Sequence, residues 1–196
     1  MSLVTFAQEA LIDFQRTASI VPSSRYLVQA MIEPLPLKNA KVVVELGPGT
    51  GVMTRELLHR IPPDATLLAF EINPRFTAYL RNEFKDPRLK ILETGAENAP
   101  RELRALGIDK VDASLSSLAC SMLPAPLVHE VLNGLLPFLG VNSVFTQYQY
   151  VQQISIQRFK IQRYRVNELL SRYFRKVGRS MVWRNMPPAL VFDCQK

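Results

Sequence analysis

Three glycines alternate with other residues directly after a short apolar run that contains an acid. The run covers residues 41–46 with Glu45 near its end, and Gly47, Gly49 and Gly51 follow, so that the stretch reads KVVVELGPGTG. Glycine at every second position lets the backbone turn sharply and approach a ligand without an intervening Cβ. The pattern therefore predicts a ligand-binding loop at the end of a buried strand.

The spacing of the glycines narrows the choice of ligand. Dinucleotide-binding loops read G-x-G-x-x-G and P-loops read G-x-x-x-x-G-K-[ST], whereas this loop is G-x-G-x-G without a lysine. A second acid, Glu71, ends the apolar run of residues 66–70, twenty residues past Gly51. A carboxylate there can accept hydrogen bonds from both hydroxyls of a ribose. The alternative is that the glycines only form a tight turn and Glu71 is solvated.

The elements that position these residues follow one another in a regular series. Apolar runs with strand character alternate with helical patterns, which is typical of a parallel sheet wound on both faces. The predicted strands cover residues 41–46, 66–70, 89–93, 111–118 and 142–151, and two closing strands flank residues 183–188. The predicted helices cover residues 25–32, 53–60, 98–106 and 126–136, with another from Pro74 to before Pro87. We expect one α/β domain with a mostly parallel, seven-stranded sheet and helices on both faces.

Residues 1–38 are predicted to form an N-terminal helical part, and residues 39–196 the core. In the first twenty residues, apolar side chains recur at helical spacing, namely Leu3, Ala7, Ala10, Leu11 and Phe14, with Phe6 beside them. This amphipathic helix either covers the sheet or works as a lid that docks on a membrane. A second helix over residues 25–32 is expected to begin at a cap from Ser23 or Ser24.

Composition excludes several classes of protein. With 196 residues, of which 47% are hydrophobic, the chain suits one globular domain. No run approaches the ~18 apolar residues of a membrane span, and the first twenty residues lack the pattern of a secretory signal. Two cysteines are too few for a disulfide framework, which favours the cytosol. No His/Cys/Asp cluster has metal-ligand spacing, so no metal is expected.

Basic residues are concentrated near the end of the chain. Residues 158–184 contain nine lysines and arginines against one acid, Glu168, while the whole chain has a net charge of +7. The run also has a helical pattern with an apolar side, so an ordinary solvated face is one interpretation. The other is attraction to phosphates, either of nucleic acid or of an anionic lipid surface.

The stretch ELGPGTG resembles motif I of the class I S-adenosylmethionine-dependent methyltransferases. The resemblance implies a Rossmann-like fold in which Glu45 faces the methionine ammonium and Glu71 binds the ribose. It also implies that residues 95–97 meet the adenine, with Glu97 in place of the more usual acid. The cofactor-binding residues expected on this basis are Glu45, Gly47, Gly49, Thr50, Gly51, Glu71, Ile72, Ala96, Glu97 and Ser116.

Nearly the whole chain resembles the bacterial phospholipid N-methyltransferases. The resemblance rests on motif I, on SSR at residues 23–25, on SSL at residues 116–118 and on the ending VWRNMPPA at residues 182–189. It implies methylation of phosphatidylethanolamine and its methylated derivatives toward phosphatidylcholine, with S-adenosylhomocysteine as the product. It further implies a cytoplasmic protein held peripherally on the anionic inner leaflet of the bacterial membrane.

The same resemblance suggests the acceptor site. Tyr148 and Ser116 are predicted to be catalytic, Tyr148 because an aromatic face favours a nitrogen that becomes quaternary. The residues expected to bind the lipid are Ser24, Arg25, Ser117, Leu118, Tyr148, Tyr150, Arg184 and Asn185. Two departures from the family lie nearby: Ala119 replaces a common proline, and the segment TQYQY of residues 146–150 lacks the glycine that often follows.

Two alternative functions remain. The rRNA adenine dimethyltransferases have a related fold, but they carry N-[LI]-P-[YF] after strand four, where this chain has SSLA at residues 116–119. Nucleic acid is therefore an unlikely partner. The second alternative is a non-catalytic membrane-binding module, which would have no need of Glu45 and Glu71.

Overall fold

The computed structural model describes residues 23–120, 123–151 and 166–196. The predicted amphipathic helix of residues 3–16 and the first four basic residues of the run at 158–184 lie outside the described residues. The boundary proposed at residue 38 stays a prediction. In the described ranges no helix is long and apolar enough to cross a membrane.

Seven strands form one sheet, in the order β3-β2-β1-β4-β5-β7-β6. The first five run parallel, and β7 is antiparallel to both of its neighbours. The strands are β1 Val42–Leu46, β2 Thr66–Phe70, β3 Leu89–Leu92, β4 Val111–Ser116, β5 Leu139–Tyr150, β6 Lys176–Val182 and β7 Ala189–Gln195. The predicted α/β class and the mostly parallel seven-stranded sheet are confirmed. Because the strand order reverses between β1 and β4, a crevice forms at the carboxyl ends of these two strands.

Helices cover both faces of the sheet, as predicted. They are α1 Arg25–Ile32, α2 Val52–Arg60, α3 Pro74–Glu83, α4 Ala99–Ala105, α5 Ala125–Leu135 and α6 Val166–Leu170. On one face α1 and α2 pack their apolar sides on strand residues such as Val43, Leu67 and Val191. On the other face α4, α5 and α6 pack on the alternate residues, including Val44 and Phe145. The nearly continuous apolar strands are explained by this burial on both faces.

The ends of α1 and β5 show how local sequence shapes the fold. Ser24 caps α1, since its side chain accepts a hydrogen bond from the Leu27 amide, as the serine pair predicted. Strand β5 starts three residues earlier than predicted, at Leu139. A register shift against β4 lies between Val111 and Ala113, so residues 140–142 interrupt the regular pairing.

The helical pattern assigned to the basic run is wrong for its later part. Helix α6 has only five residues, and the chain from Lys176 to Val182 is the edge strand β6. Lys176 lies at one end of this strand and Arg184 just beyond the other, about 20 Å away at the usual rise per residue. The described basic residues therefore do not line one helix face.

Candidate cofactor and acceptor site

The glycine loop connects β1 to α2, and all three of its glycines have positive φ angles. A Cβ on Gly51 would lie 2.5 Å from the Phe84 ring, and one on Gly47 would lie 3.0 Å from the Leu118 side chain. A Cβ on Gly49 would meet nothing within 4 Å. Close packing therefore requires glycine at the two outer positions, while the middle of the loop is open to a ligand.

Glu71 follows β2 at the same edge of the sheet and contacts the glycine loop. Its carboxylate accepts a hydrogen bond from the Gly49 amide at 3.1 Å and another from the Asn73 amide at 2.9 Å. The residue is buried, and burial raises the pKa of its carboxyl group. The two amides hold this carboxylate against the loop, beside the position where a ribose would lie if the motif I resemblance applies.

Glu45 is fully buried within β1, one residue before the loop. Its Oε2 accepts a hydrogen bond of 2.7 Å from the Thr54 hydroxyl, while its Oε1 has no partner among the described residues. Burial raises the pKa of this carboxyl group to about 8. Because an unpaired buried carboxylate is costly, the free oxygen fits a cationic donor such as the ammonium of S-adenosylmethionine. Thr54 was missed from the sequence; its position one helical turn past the loop was the only signal.

A cleft beside Glu71 encloses about 500 Å³ of empty space, part of it open to solvent. It brings together five of the residues expected to bind the cofactor, Gly47, Glu71, Ile72, Ala96 and Glu97, and it also includes Leu118 from the predicted acceptor site. Gly95, which the resemblance placed with Ala96 and Glu97 at the adenine, also lines the cleft, and the other walls were not predicted and are mostly apolar, namely Phe70, Thr94, Leu123, Leu127 and Val131. This combination of a carboxylate and apolar walls suits an adenosine, with its polar ribose and flat base.

The segment after β4 forms the next part of the edge. Ser116 is buried, and its hydroxyl accepts a hydrogen bond of 3.4 Å from the Leu118 amide. The Ser117 amide donates to the Leu46 carbonyl at 2.8 Å, which ties the segment to β1. Ser116 and Leu118 also line a narrow crevice between the sheet and α5, whose empty space of about 350 Å³ includes open solvent. Ser117 lies between these two residues in the sequence but lines neither this crevice nor the cleft beside Glu71.

Gln147 on β5 supports the same segment and was missed from the sequence. Its amide nitrogen donates to the Leu118 carbonyl at 2.8 Å, and its Oε1 accepts a hydrogen bond of 3.3 Å from Cys120 Sγ. The residue is buried and lies on the same face of β5 as Phe145. A polar residue at a core position of a strand was the signal that could have identified it.

Tyr148 and Tyr150 lie on the opposite face of β5 from Gln147. They pack against the core that contains Leu27 of α1, and their rings meet edge to face at 5.3 Å. Burial raises the pKa of the Tyr148 phenol, so this side chain does not ionise near neutral pH. Neither tyrosine lines the cleft beside Glu71, and their role in catalysis stays a prediction.

The start of α1 contacts the turn between β6 and β7. This contact brings together four residues of the predicted acceptor site, namely Ser24, Arg25, Arg184 and Asn185. Asn185 Oδ1 accepts a hydrogen bond of 2.9 Å from the Ser24 amide. The two arginines both donate to the Tyr26 hydroxyl, at 2.8 Å from Arg25 and 3.2 Å from Arg184. Their guanidinium groups lie 4.8 and 5.2 Å from the centroid of the Tyr26 ring. Hydrogen bonds from Arg25 and Arg184 lower the pKa of the Tyr26 phenol.

Two comparisons of the sequence with known proteins found related methyltransferases. A sequence profile of the ribosomal RNA adenine dimethylases matches residues 22–99. An ornithine lipid N-methyltransferase from Singulisphaera acidiphila is 30% identical over 179 residues, which cover 91% of this chain and 88% of that protein.

Solved structures show the same fold at low sequence identity. A precorrin-6y C5,15-methyltransferase from Geobacter metallireducens superposes with a TM-score of 0.67 at 14% identity, covering 91% of this chain and 95% of that one. A methyltransferase from Geobacter sulfurreducens has a TM-score of 0.60 at 16% identity, covering 96% and 89% of the two chains.

Proposed function

The chain belongs to the class I S-adenosylmethionine-dependent methyltransferases, and we propose that it methylates the primary amine of a membrane lipid headgroup. The observation that carries the proposal is the similarity to an ornithine lipid N-methyltransferase over 91% of the chain. Two acceptors are compatible with it. One is phosphatidylethanolamine with its methylated derivatives, and the other is an ornithine lipid.

We propose a place among the described residues for each part of S-adenosylmethionine. The unpartnered Oε1 of Glu45 would accept a hydrogen bond from the methionine ammonium. Glu71 would exchange its bond with the Gly49 amide for bonds with the ribose hydroxyls. Ile72 and Ala96 would contact the adenine within the apolar part of the cleft, which Glu97 also lines.

For this reaction the protein has mainly to position the amine and the methyl donor. Bound S-adenosylmethionine supplies an electrophilic methyl group on a positively charged sulfur. The protein has to hold an unprotonated amine in line with that group and exclude water. Gln147 and the Ser116 hydroxyl both hydrogen-bond to the backbone of Leu118 and so fix the segment after β4, which lines the cleft. We propose that Tyr148 and Tyr150 offer aromatic faces to the methylated nitrogen, and that Tyr148 is not the proton acceptor.

Lipid substrates imply contact with a membrane surface. Arg25 and Arg184, with Ser24 and Asn185 beside them, are our proposed contacts for the negatively charged part of the headgroup. A guanidinium group can pair with either a phosphate or a carboxylate. The pair is therefore compatible with both proposed acceptors, and with a protein held peripherally on an anionic inner leaflet.

RNA methylation is the second candidate, because the matching profile is that of rRNA adenine dimethylases. That match ends at residue 99 and so covers the part of the fold that holds the cofactor. The segment after β4 reads SSLA and has no aromatic side chain to hold a flipped base. These features favour lipid over RNA. The bond between Glu45 and Thr54 likewise favours an enzyme over a non-catalytic module.

Lipid mass spectrometry tests the proposal directly. The chain is expressed in a bacterium that contains phosphatidylethanolamine and ornithine lipid but methylates neither, with the cofactor-site variant Glu71→Ala as the control. New lipids heavier by one to three methyl groups are expected with the wild type and in smaller amounts with the variant, and the headgroup that gains them identifies the acceptor. Methylated rRNA with unchanged lipids would instead establish the second candidate.

A further inference from the structure

Exposed apolar side chains are concentrated at the turn between β6 and β7, residues 183–188. Trp183 is 73% exposed and Met186 is 76% exposed. Met181, just before the turn, and Val151, at the end of β5, are also exposed. The described ranges contain seven exposed large apolar side chains, so these four are more than half of them. Such concentration at one place marks an interaction surface.

The turn is held firmly in this orientation. Asn185 is buried between the two exposed residues and accepts the hydrogen bond from the Ser24 amide at the start of α1. Its side-chain nitrogen donates to the Pro187 carbonyl at 2.7 Å. Because these bonds fix the middle of the turn, Trp183 and Met186 are presented outward by the fold.

Two cationic groups flank the exposed residues. Arg184 lies within the turn and Arg25 lies opposite, with the Tyr26 hydroxyl between their guanidinium groups. Neither is paired with a carboxylate in the part of the chain that the structure describes, whereas Arg55 and Arg88 are. Two unneutralised guanidinium groups beside an apolar tip are complementary to phosphates above hydrocarbon.

The turn also lies at the edge of the sheet where the cofactor cleft opens. Tyr150 at the carboxyl end of β5 pairs with Ala189 at the start of β7. The Val151 amide donates to the Pro188 carbonyl at 2.9 Å. The parallel strands β1, β2 and β4 end at this same edge with the glycine loop, Glu71 and Ser116. A surface that touches the turn would therefore face the cleft.

We infer that the β6–β7 turn docks the protein on an anionic bilayer. Trp183 and Met186 enter the headgroup region, and Arg25 and Arg184 pair with lipid phosphates. Tryptophan suits this depth because its ring is apolar while its N–H can bond to water or headgroups. The inference rests on the proposed function in that a lipid amine fixed to a bilayer has to reach the cleft. It adds which element makes the contact.

The chain offers a direct probe, because Trp183 is its only tryptophan. Fluorescence is measured with vesicles of phosphatidylethanolamine and phosphatidylglycerol, and with neutral phosphatidylcholine vesicles for comparison. On the anionic vesicles we expect a blue shift of the emission, and quenching when the lipid chains carry bromine near the headgroup. Emission that stays unshifted and unquenched while the protein sediments with vesicles would overturn the inference.

Paired variants separate the contribution of the turn to vesicle binding from that of other exposed apolar residues and from that of net charge. Trp183→Ser with Met186→Ser should weaken sedimentation with anionic vesicles on the order of tenfold. Val141→Ser is the control, since Val141 is 80% exposed but lies near the amino end of β5, at the opposite edge. Arg184→Gln should weaken binding about fivefold. Lys38→Gln, with the same change in charge just before β1, should leave binding within about twofold of wild type.

Activity on two forms of the acceptor distinguishes this inference from the proposed function. The double variant should lose activity on vesicles but keep it on a short-chain aminolipid dispersed in detergent, with an unchanged melting temperature. Equal activity of the double variant and the wild type on vesicles would overturn the docking role and leave lipid methylation intact. Quenching of Trp183 by brominated lipid without methylation of any lipid would support docking and contradict the proposed function.

Discussion

The two halves of the sheet differ in where their ionisable side chains lie, since the acids of one half are buried and the arginines of the other are exposed. Around β1 and β2, the carboxylates of Glu45 and Glu71 are buried and receive hydrogen bonds from Thr54, Gly49 and Asn73. Around β6 and β7, the charges of Arg25 and Arg184 are exposed beside apolar side chains that are exposed as well. We propose that the cofactor half, around β1 and β2, encloses a small molecule, and that the acceptor half, around β6 and β7, meets a surface.

The contrast can be explained by the size of each ligand, because a small molecule can enter a cleft and a bilayer cannot. A small charged molecule gains most from charges that are shielded from water, where electrostatic interactions are stronger. Burying an acid that has no partner is unfavourable in free energy. We expect a bound ligand that pairs with the acids to reduce this unfavourable free energy. A bilayer cannot enter a cleft, and the protein has to present its contacts outward. We therefore expect substitutions in the cofactor half to have the larger effects.

The largest effect is expected from Gly51→Ala in the glycine loop. The new Cβ would lie 2.5 Å from Phe84, and the backbone has a φ of +78°. Overpacking and the left-handed conformation together should lower the free energy of unfolding by about 3 to 5 kcal/mol. Gly49→Ala is the matched control, since it has positive φ but open space. Chemical denaturation should show a clearly smaller loss for it, and equal losses would contradict the packing argument.

Glu45→Gln should stabilise the protein without ligand and weaken cofactor binding. The pKa of Glu45 is raised from 4.5 to about 8 by burial. Between these values the folded protein retains a proton that the unfolded chain has released, so the free energy of unfolding falls as the pH rises. At pH 7 the variant should be more stable by about 3 kcal/mol.

Thermal unfolding from pH 5 to pH 8 checks this expectation. The melting temperature of the wild type should fall more steeply than that of Glu45→Gln, while Glu71 leaves a residual slope in both. Parallel curves would show that Glu45 is already ionised. Calorimetry in buffers of different ionisation enthalpy should also detect proton release when S-adenosylhomocysteine binds the wild type at pH 7, since an ammonium pairs with the ionised carboxylate.

Glu71→Ala should weaken binding of S-adenosylhomocysteine by about 1 to 3 kcal/mol, or roughly 5- to 150-fold. The substitution removes the proposed partner of the ribose hydroxyls. Glu83→Ala removes the same charge from an exposed ion pair with Arg55 and serves as the control in calorimetry. Vesicle binding should be the same in both variants. Unchanged nucleoside affinity in Glu71→Ala would refute the assignment of the cleft.

Tyr148→Phe is expected to have the smallest effect, less than about fivefold in the rate of methyl transfer. The phenol stays protonated, so its loss removes no base, and the aromatic face remains for the methylated nitrogen. Tyr148→Ala should reduce the rate much further while cofactor affinity is kept. A loss in Tyr148→Phe as large as in Tyr148→Ala would show that the hydroxyl takes part in the reaction.

Local sequence pattern was sufficient to predict the strands and the glycine loop of the cofactor half. The strand positions, the glycine loop and the two acids could be predicted because each depends on nearest neighbours along the chain: an apolar run, a turn that needs glycine, and an acid at a strand end. Thr54 could not be assigned, since a threonine in a helix has no pattern that reveals the buried carboxylate it contacts. The role of Gln147 was not predicted either, because the tyrosines near it in the sequence were chosen as the functional residues of β5.

The acceptor half depended on contacts that are distant in sequence. The sequence by itself determined that residues 23–25 and 182–189 resemble parts of one family, and that lysines and arginines are concentrated in residues 158–184. Only the tertiary structure decided that Asn185 bonds to the Ser24 amide and that two arginines share the Tyr26 hydroxyl. It also decided which face of β5 carries Tyr148, and that the basic run ends in an edge strand with Trp183 exposed. The reason is that strand pairing and register, which set the face and the neighbours of every side chain, are fixed by the packing of the whole sheet and have no local signature.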